Sequence, residues 1–441
     1  MLNKENFEIL SGNIDKFEIK GKKTTLDVSG VTVEFKYYES VLSNTISATA
    51  TIVDTGFKAA GKTVVEYKGI VEELPLRGGE ECTIILVDNQ KTENKLTFTG
   101  NSKFYVNRVR DIDPGVQRDV FYIDFGTQEL FANEQTRVVS RYDGKISDNV
   151  KKILEDRLKT KKDIKVDDTL QPYNFIGNDR KPLYVCTWLA SKSVPATAGK
   201  IGGAAGYFFY ETHDGFQFRS IDALFKEKQK KTYIYIDSAD LPTGYDGKIL
   251  SYTIDNDIDL QQNLTIGTYS NRSLFFDYYA YDYQVRNYQY DDNQKDKIEN
   301  GGGDEITTVS DEFRLPISRL MNHVLDYGVL PSGKNAEAQL KKWKSKPENP
   351  NYDAANTMVQ SIMRYNQMQL IKIDIVIGGD FSLRAGDRIK CDFVRLEGEK
   401  VNKNINDKSS GIYMIESLCH RVTPTDTFTS LTLVRDSFGR Q

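Results

Sequence analysis

The residue types that most often carry out chemistry are scarce in this sequence. It has three histidines, His213, His323 and His420, and four cysteines, Cys82, Cys186, Cys391 and Cys419. A zinc site draws about four Cys or His ligands from short spacings, and no CxxC or comparable cluster occurs. Cysteines this sparse do not form a disulfide framework, so they read as four buried thiols in a reducing cytoplasm. The motifs GxSxG, HExxH, SxxK and DxDxG are absent.

Each remaining candidate has a plainer explanation beside it. His213 stands next to Asp214 and near Glu211, as an acid–base pair could, but His213-Asp214-Gly215 also reads as a hairpin turn. His323 falls in a stretch with helical apolar spacing, where a histidine near the C-terminal end serves packing or the helix dipole. His420 follows Cys419, yet neighbours on a strand point to opposite faces, so the two cannot form a dyad. GGGD at 301–304 lacks the Lys-Ser/Thr of a phosphate loop. Gly202, Gly203 and Gly206 precede a strand, whereas a dinucleotide fingerprint precedes a helix. The run Tyr278, Tyr279, Tyr281, Tyr283, Tyr288 and Tyr290 could stack on sugars or bases. Arg286 is the only Lys or Arg among those tyrosines, so strand packing or a protein interface explains them better. FKEKQKK (225–231) and KKILEDRLKTKK (151–162) read as solvated charged faces. No catalytic, cofactor-binding or metal-binding residue is assigned, and no cofactor is expected.

The elements that would position any site are mostly strands. The 441 residues carry a formal net charge of −4, with 28% charged and 39% apolar residues. This is ordinary for a soluble folded chain and lacks the basic surplus that wrapping duplex DNA requires. No secretory leader is apparent at MLNKENFEIL, and the apolar runs are too short for a membrane helix. The 25 Tyr and 22 Phe against 2 Trp suggest a β-rich chain. Strands are expected at 34–39, 45–55, 63–70, 82–88, 95–109 and 120–125, separated by turn-forming clusters. A helix is expected over 147–159, capped by Ser147 or Asp148. Another begins at Pro182 and stops at Pro195. A hairpin follows over 206–221. Strands return over 241–290, and an acidic loop covers 291–305. Two helices are expected next, one over 317–327 with Gly328 at its end, the other over 354–367. The last 75 residues read as β.

The fold class is therefore α+β, mostly β, with two similar antiparallel β-barrels and helical insertions. One internal echo supports a duplication. Leu76-Arg77-Gly78-Gly79-Glu80 and Leu383-Arg384-Ala385-Gly386-Asp387 each place Leu-Arg-x-Gly-acid directly before a strand.

Several segments, in order along the chain, resemble the central baseplate hub protein of contractile-tailed bacteriophages. They are ESVLSNTISATATIVDTG (39–56), PLRGGEECTIIL (75–86), KPLYVCTWLASKSVPA (181–196), AGYFFYETHDGFQFRSIDAL (205–224), FSLRAGDRIKCDF (381–393) and GIYMIESLCHRVTPTDTFTSLTLVRDS (411–437). The family shares its architecture with the base of type VI secretion spike proteins. The resemblance implies a non-enzymatic homotrimer in the virion tail baseplate, assembled in the host cytoplasm. Its six barrels would form a ring matching the tail tube, with a central spike protein trimer on the other side and neighbouring baseplate proteins around it. Viral DNA would pass through the lumen without specific binding, and no membrane insertion is implied. The expected division is 1–135, first tube barrel; 136–240, α+β insertion; 241–290, start of the second tube barrel; 291–368, acidic loop and helical segment; and 369–441, remainder of the second barrel. No spike domain follows Gln441, so a separate spike chain is expected. The competing readings are a carbohydrate-active or peptidase enzyme and a β-rich carbohydrate-binding tail protein, the latter with its tyrosine run lining a groove.

Overall fold

The computed structural model describes residues 12–22, 24–54, 76–88, 94–114, 118–198, 205–238, 240–256, 259–277, 282–289, 309–324, 341, 351, 354–394, 405–406 and 409–437. The expected strand at 63–70, the loop at 291–305, Gly328 and four of the six tyrosines of the 278–290 run lie outside them.

The fold is mostly β. The first region contributes β1 (Gly12–Lys20), β2 (Thr25–Asp27), β3 (Thr32–Ser40), β4 (Ser47–Asp54), β5 (Glu81–Asp88), β6 (Lys95–Phe98), β7 (Phe104–Pro114) and β8 (Asp119–Thr127). Alternation shapes them: β4 and β5 bury every second residue, which puts Ala48, Ala50, Ile52, Cys82, Ile84 and Leu86 in the core. The middle region adds α1 (Gln128–Gln135), β9 (Arg141–Tyr142), α2 (Ile146–Asp156), β10 (Ile164–Val166), β11 (Phe175–Ile176), α3 (Pro182–Ala190), β12 (Tyr207–Thr212), β13 (Gly215–Ser220) and α4 (Ile221–Lys226). The rest comprises β14 (Lys231–Tyr235), β15 (Gly247–Asn256), α5 (Leu260–Ile266), β16 (Ser270–Asp277), β17 (Asp282–Gln289), α6 (Asp311–Arg314), β18 (Arg319–Val324), α7 (Ala354–Met368), β19 (Ile371–Gly378), β20 (Arg388–Phe393), β21 (Gly411–Val422) and β22 (Thr427–Arg435).

Strand order exposes a duplication. The first region pairs as β1-β5-β7-β8-β4-β3, and the last as β14-β20-β21-β22-β19-β15. Position by position, the two orders match. In the last region β15 returns to pair with β14, which closes a six-stranded barrel. The antiparallel expectation holds with one exception: β14 runs parallel to both β15 and β20, whereas its counterpart β1 is antiparallel to β5. β3 pairs antiparallel with β21, so the two regions merge into one 14-stranded sheet over a shared core.

Local signals explain most of the middle region. Pro182 opens α3 with no amide to waste, but the helix ends at Ala190 rather than at Pro195, which forms an isolated bridge with Thr169. The 207–220 hairpin turns at His213-Asp214, and Gly215 takes φ +117° where a Cβ would strike the Asp163 carbonyl at 2.2 Å. The expected cap of α2 is corrected. The helix starts one residue earlier, after Lys145, and the Ser147 amide donates to the Thr169 hydroxyl at 3.2 Å.

Two further expectations change. Residues 319–324 form strand β18, not a helix. Leu320, Asn322 and Val324 alternate with Arg319, Met321 and His323, and the strand runs parallel to β16. The sequence there fits both periods, and pairing with β16 decides between them. Of the stretch 241–290, only β15 joins the 14-stranded sheet. β16 and β17 form a separate three-stranded sheet with β18, packed on α7 through Phe275, Tyr288, Val359 and Met363. The barrel also gains β14 from before residue 241.

Candidate functional site

The two Leu-Arg-x-Gly-acid segments fold alike. The Glu80 carboxylate accepts the Arg77 amide at 2.8 Å, and Asp387 accepts the Arg384 amide at 2.7 Å. Gly79 and Gly386 both take φ +89°, a conformation that favours glycine. The Gly79 amide donates to the Val106 carbonyl and the Gly386 amide to that of Ile415. Each acid's carbonyl accepts from the same partner residue, at 3.0 Å from Val106 and 2.9 Å from Ile415.

Their surroundings differ. The first turn is exposed at Arg77, Gly78 and Gly79. The second lies under the tip of the β12–β13 hairpin. Arg384 Nε donates to Asp214 at 3.2 Å, and its Nη1 donates to the Phe381 and Leu383 carbonyls at 2.7 and 2.9 Å. Glu39, buried at the end of β3, accepts the Tyr37 hydroxyl at 2.7 Å, the His213 amide at 2.8 Å and the Ala385 amide at 2.9 Å. His213 Nε2 accepts the Thr97 amide at 3.1 Å, which leaves Nδ1 to donate to Asp214. One hairpin tip thus touches β3 and β6 of the first barrel and the turn before β20 of the second.

Electrostatics follow from burial and pairing. Burial pushes the Glu39 carboxyl up, and Arg384 with three hydrogen bonds restrains the shift. The His213 hydrogen bond, with the Arg384 charge behind it, holds the Asp214 carboxyl well below the usual range. His420 lies face to face with Tyr37, ring centroids 6.1 Å apart, and its Nδ1 is 2.9 Å from the Thr429 hydroxyl. Burial, then the nearby Arg384 charge, brings its pKa down to about 3.

A second ionic joint ties the insertion to the first barrel. Lys162 bridges Glu129 at 2.8 Å and Glu211 at 2.5 Å, and Glu211 also accepts the Ile46 amide at 3.1 Å. Burial pushes Glu211 up to about 7. Burial would lower the Lys162 pKa, but the two carboxylates outweigh it and the net direction is up.

Several sequence readings are corrected here. Lys162 is buried rather than part of a solvated face. In the 225–231 run Phe225 is core, Lys230 pairs with Asp387 at 2.8 Å and Lys231 with Asp380 at 2.6 Å. Cys82, Cys186 and Cys391 are buried, but Cys419 is only partly so. His420 and Cys419 do face opposite ways, His420 inward and fully buried. His323 stacks on Phe275 at 5.1 Å from a strand instead of sitting on a helix. Tyr283 is exposed while Tyr288 is buried, so the described part of the tyrosine run divides between two faces. The geometry of the joint fastens three parts of the chain together. It brings together His213, Asp214 and Glu211, but each is spent on holding backbone or a neighbouring charge.

Across the β3–β21 seam, the outer face of the sheet holds a groove of about 790 Å³ lined by Tyr38, Ser40, Ser47, Thr253, Cys419 and Thr432, among others. In the groove Asp374 accepts the Thr432 hydroxyl at 2.7 Å; beyond it, on the same strands and their neighbours, Glu34 meets Lys36 at 2.8 Å and Arg421 at 2.6 Å, and Arg110 meets Asp124 at 3.0 Å. Among the described residues no group of three or more His, Cys, Asp or Glu could hold a metal ion, and no helix is long and apolar enough to cross a membrane.

No protein-family model matches the chain, and no curated protein matches it by sequence. Solved structures do match in fold. The tail protein from Neisseria meningitidis MC58 superposes with a TM-score of 0.53 at 10% identity, over 96% of each chain. The 43 kDa tail protein of prophage MuSo2 from Shewanella oneidensis gives 0.50 at 10% identity, over 97% of this chain and 99% of that one. The chain therefore shares the fold of these two tail proteins along nearly its whole length.

Proposed function

We propose that this protein is a structural, non-enzymatic hub of a contractile phage-tail baseplate. The observation that carries the reading is the duplicated six-strand order fused edge to edge through β3 and β21. A chain with two equivalent barrels supplies twice as many barrels as chains. Three copies present six barrels toward a sixfold tube, while the unduplicated parts, 136–240 and β16–β18 with α7, keep threefold symmetry toward a trimeric spike. In this reading 1–135 is the first tube unit, 136–240 apart from β14 is the insertion, β14, β15 and 369–441 make the second tube unit, and β16 through α7 make the small-sheet, loop and helical segment.

The groove face is the proposed lumen wall. Its ion-paired and hydroxyl-bearing surface supports passage of DNA, because cations already paired with carboxylates offer little to phosphate. The remaining partners are tail tube proteins, neighbouring baseplate proteins and the spike trimer, and the place is the virion tail, assembled in the host cytoplasm. Copies in such a ring should bury more than about 2,000 Å² per pair.

Electron microscopy of the parent virion tests this. Density for three copies between tube and spike is the expected result. Light scattering should report trimers, either of the chain alone or on adding the spike protein. A chain that stays monomeric under both conditions, and turns over glycan or peptide substrates, would overturn the reading.

A further inference from the structure

The seam inside the chain is a template for a seam between chains. β3 and β21 pair with Tyr38 opposite Cys419 and Lys36 opposite Arg421. Each has a counterpart in the other barrel. β7 corresponds to β21: Val106 and Ile415 close the two matching turns, and both strands are irregular directly after that residue, between Val106 and Arg108 and between Ile415 and Ser417. β15 corresponds to β3, with matching irregularities between Thr32 and Glu34 and between Ile249 and Ser251.

Among the described residues, both counterparts have an open edge. β5 pairs with β7 only at Phe104 and Tyr105, and β14 pairs with β15 only at Gly247 and Lys248. Side-chain exposure follows. Phe35 and Tyr37 on β3 are 0% exposed, whereas Tyr252 and Ile254, their counterparts on β15, are each 38% exposed. Leu418 on β21 is buried, while its counterpart Val109 is half-buried.

The two open edges also share a defect. One residue, His420, lies between Cys419 and Arg421, but two, Asp111 and Ile112, lie between their counterparts Arg110 and Asp113. One residue, Tyr37, lies between Tyr38 and Lys36, but two, Ile254 and Asp255, lie between their counterparts Asn256 and Thr253. Each edge has gained one residue, at the same point of the register. A lone extra residue bulges a strand and spoils its pairing. An extra residue on each side at one point restores the match.

We propose that β15 of one copy pairs antiparallel with β7 of a second copy, Asp113 opposite Thr253 and Arg110 opposite Asn256. The contact is head to tail, so it builds a ring if the rotation closes. It rests on the hub reading and deepens it by naming the strands that join the copies. Pro114, with no amide to donate, bounds the paired stretch.

Disulfide trapping tests this on the full chain, in a Cys419→Ser background. Asp113→Cys and Thr253→Cys are made as separate variants, since both sites are exposed and directly opposed strand residues have Cβ atoms close enough for a disulfide. Mixing the two under mild oxidant should give disulfide-linked copies at least tenfold above a mix of Asp113→Cys with Lys152→Cys. Neither variant alone should match that yield. Amide exchange at 108–113 and 250–256 should slow together as protein concentration rises. An oligomer by light scattering without the specific crosslink overturns the seam and leaves the hub standing. Equal crosslinking of one variant with itself, or a monomer at every concentration, also overturns the seam. The virion density decides the hub reading separately.

Discussion

The two Leu-Arg-x-Gly-acid turns have the same backbone and different duties. In the first barrel the turn faces solvent, and nothing lies within 4 Å of where a Gly79 side chain would begin. In the second barrel the same turn is buried under a hairpin from the insertion, and a Cβ on Gly386 would meet the Tyr210 hydroxyl at 2.4 Å. A duplicated element keeps its local geometry because hydrogen bonds within it and to its own barrel define it. Its importance depends on what was later packed against it. The insertion enters between β8 and β14, so its hairpin reaches one copy of the turn and not the other.

Substitutions at matched positions should break this pairing most sharply at the arginines. Arg384→Met removes the cation behind buried Glu39, together with the ion pair to the exposed Asp214, and should cost about 3–5 kcal/mol. Arg77→Met, on the exposed turn, should change stability by less than about 0.5 kcal/mol. Denaturant unfolding checks both. Equal effects would mean that the hairpin tip does not depend on Arg384.

The next effect is a pH dependence that separates the two ionic joints. His420 has a folded pKa depressed from 6.5 to about 3. Its stabilisation is full above the unfolded value and is lost as pH falls toward 3, about 3 kcal/mol by pH 4. Glu211, raised from 4.5 to about 7, has the opposite sign. Its contribution is greatest below pH 4.5 and is lost as pH rises through 7. His420→Gln should therefore flatten the acid limb of a stability–pH curve, and Glu211→Gln should flatten the limb between pH 4.5 and 7. If His420→Gln leaves the acid limb unchanged, another group sets it.

The smallest expected difference lies between the glycines. Gly79→Ala should cost about 1–2 kcal/mol, the strain of a left-handed backbone with a side chain. Gly386→Ala adds a collision with Tyr210, which is fully buried and has nowhere to move, and should cost about 1–3 kcal/mol more. Thermal unfolding resolves that gap. Equal costs would show that Tyr210 can yield.

The sequence carries only part of the joint. Arg384 lies in the repeated motif, and His213-Asp214 reads as a turn. Glu39 continues the buried period of β3 after Phe35 and Tyr37, so a charge on the core-facing side of a strand was its one available signal. Lys162 gave none: it sits in a run of mixed charges, and only the approach of Glu129 and Glu211 from α1 and β12 removes it from water. The 319–324 stretch is ambiguous for a different reason. Leu, Met and Val there satisfy a helical stripe and a strand alternation together, and the β16 edge settles the choice.

By itself the sequence determined the β-rich class, the helix at Pro182, the 207–220 hairpin and the repeated turn, because propensity, capping and glycine geometry act over a few residues. The tertiary structure alone decided that β3 meets β21, that β14 runs parallel, and that one turn of two is buried. Those outcomes join residues as far apart as Glu39 and Ala385. Local periodicity carries no information about which distant edge will satisfy a strand's hydrogen bonds; the packed sheets supply it.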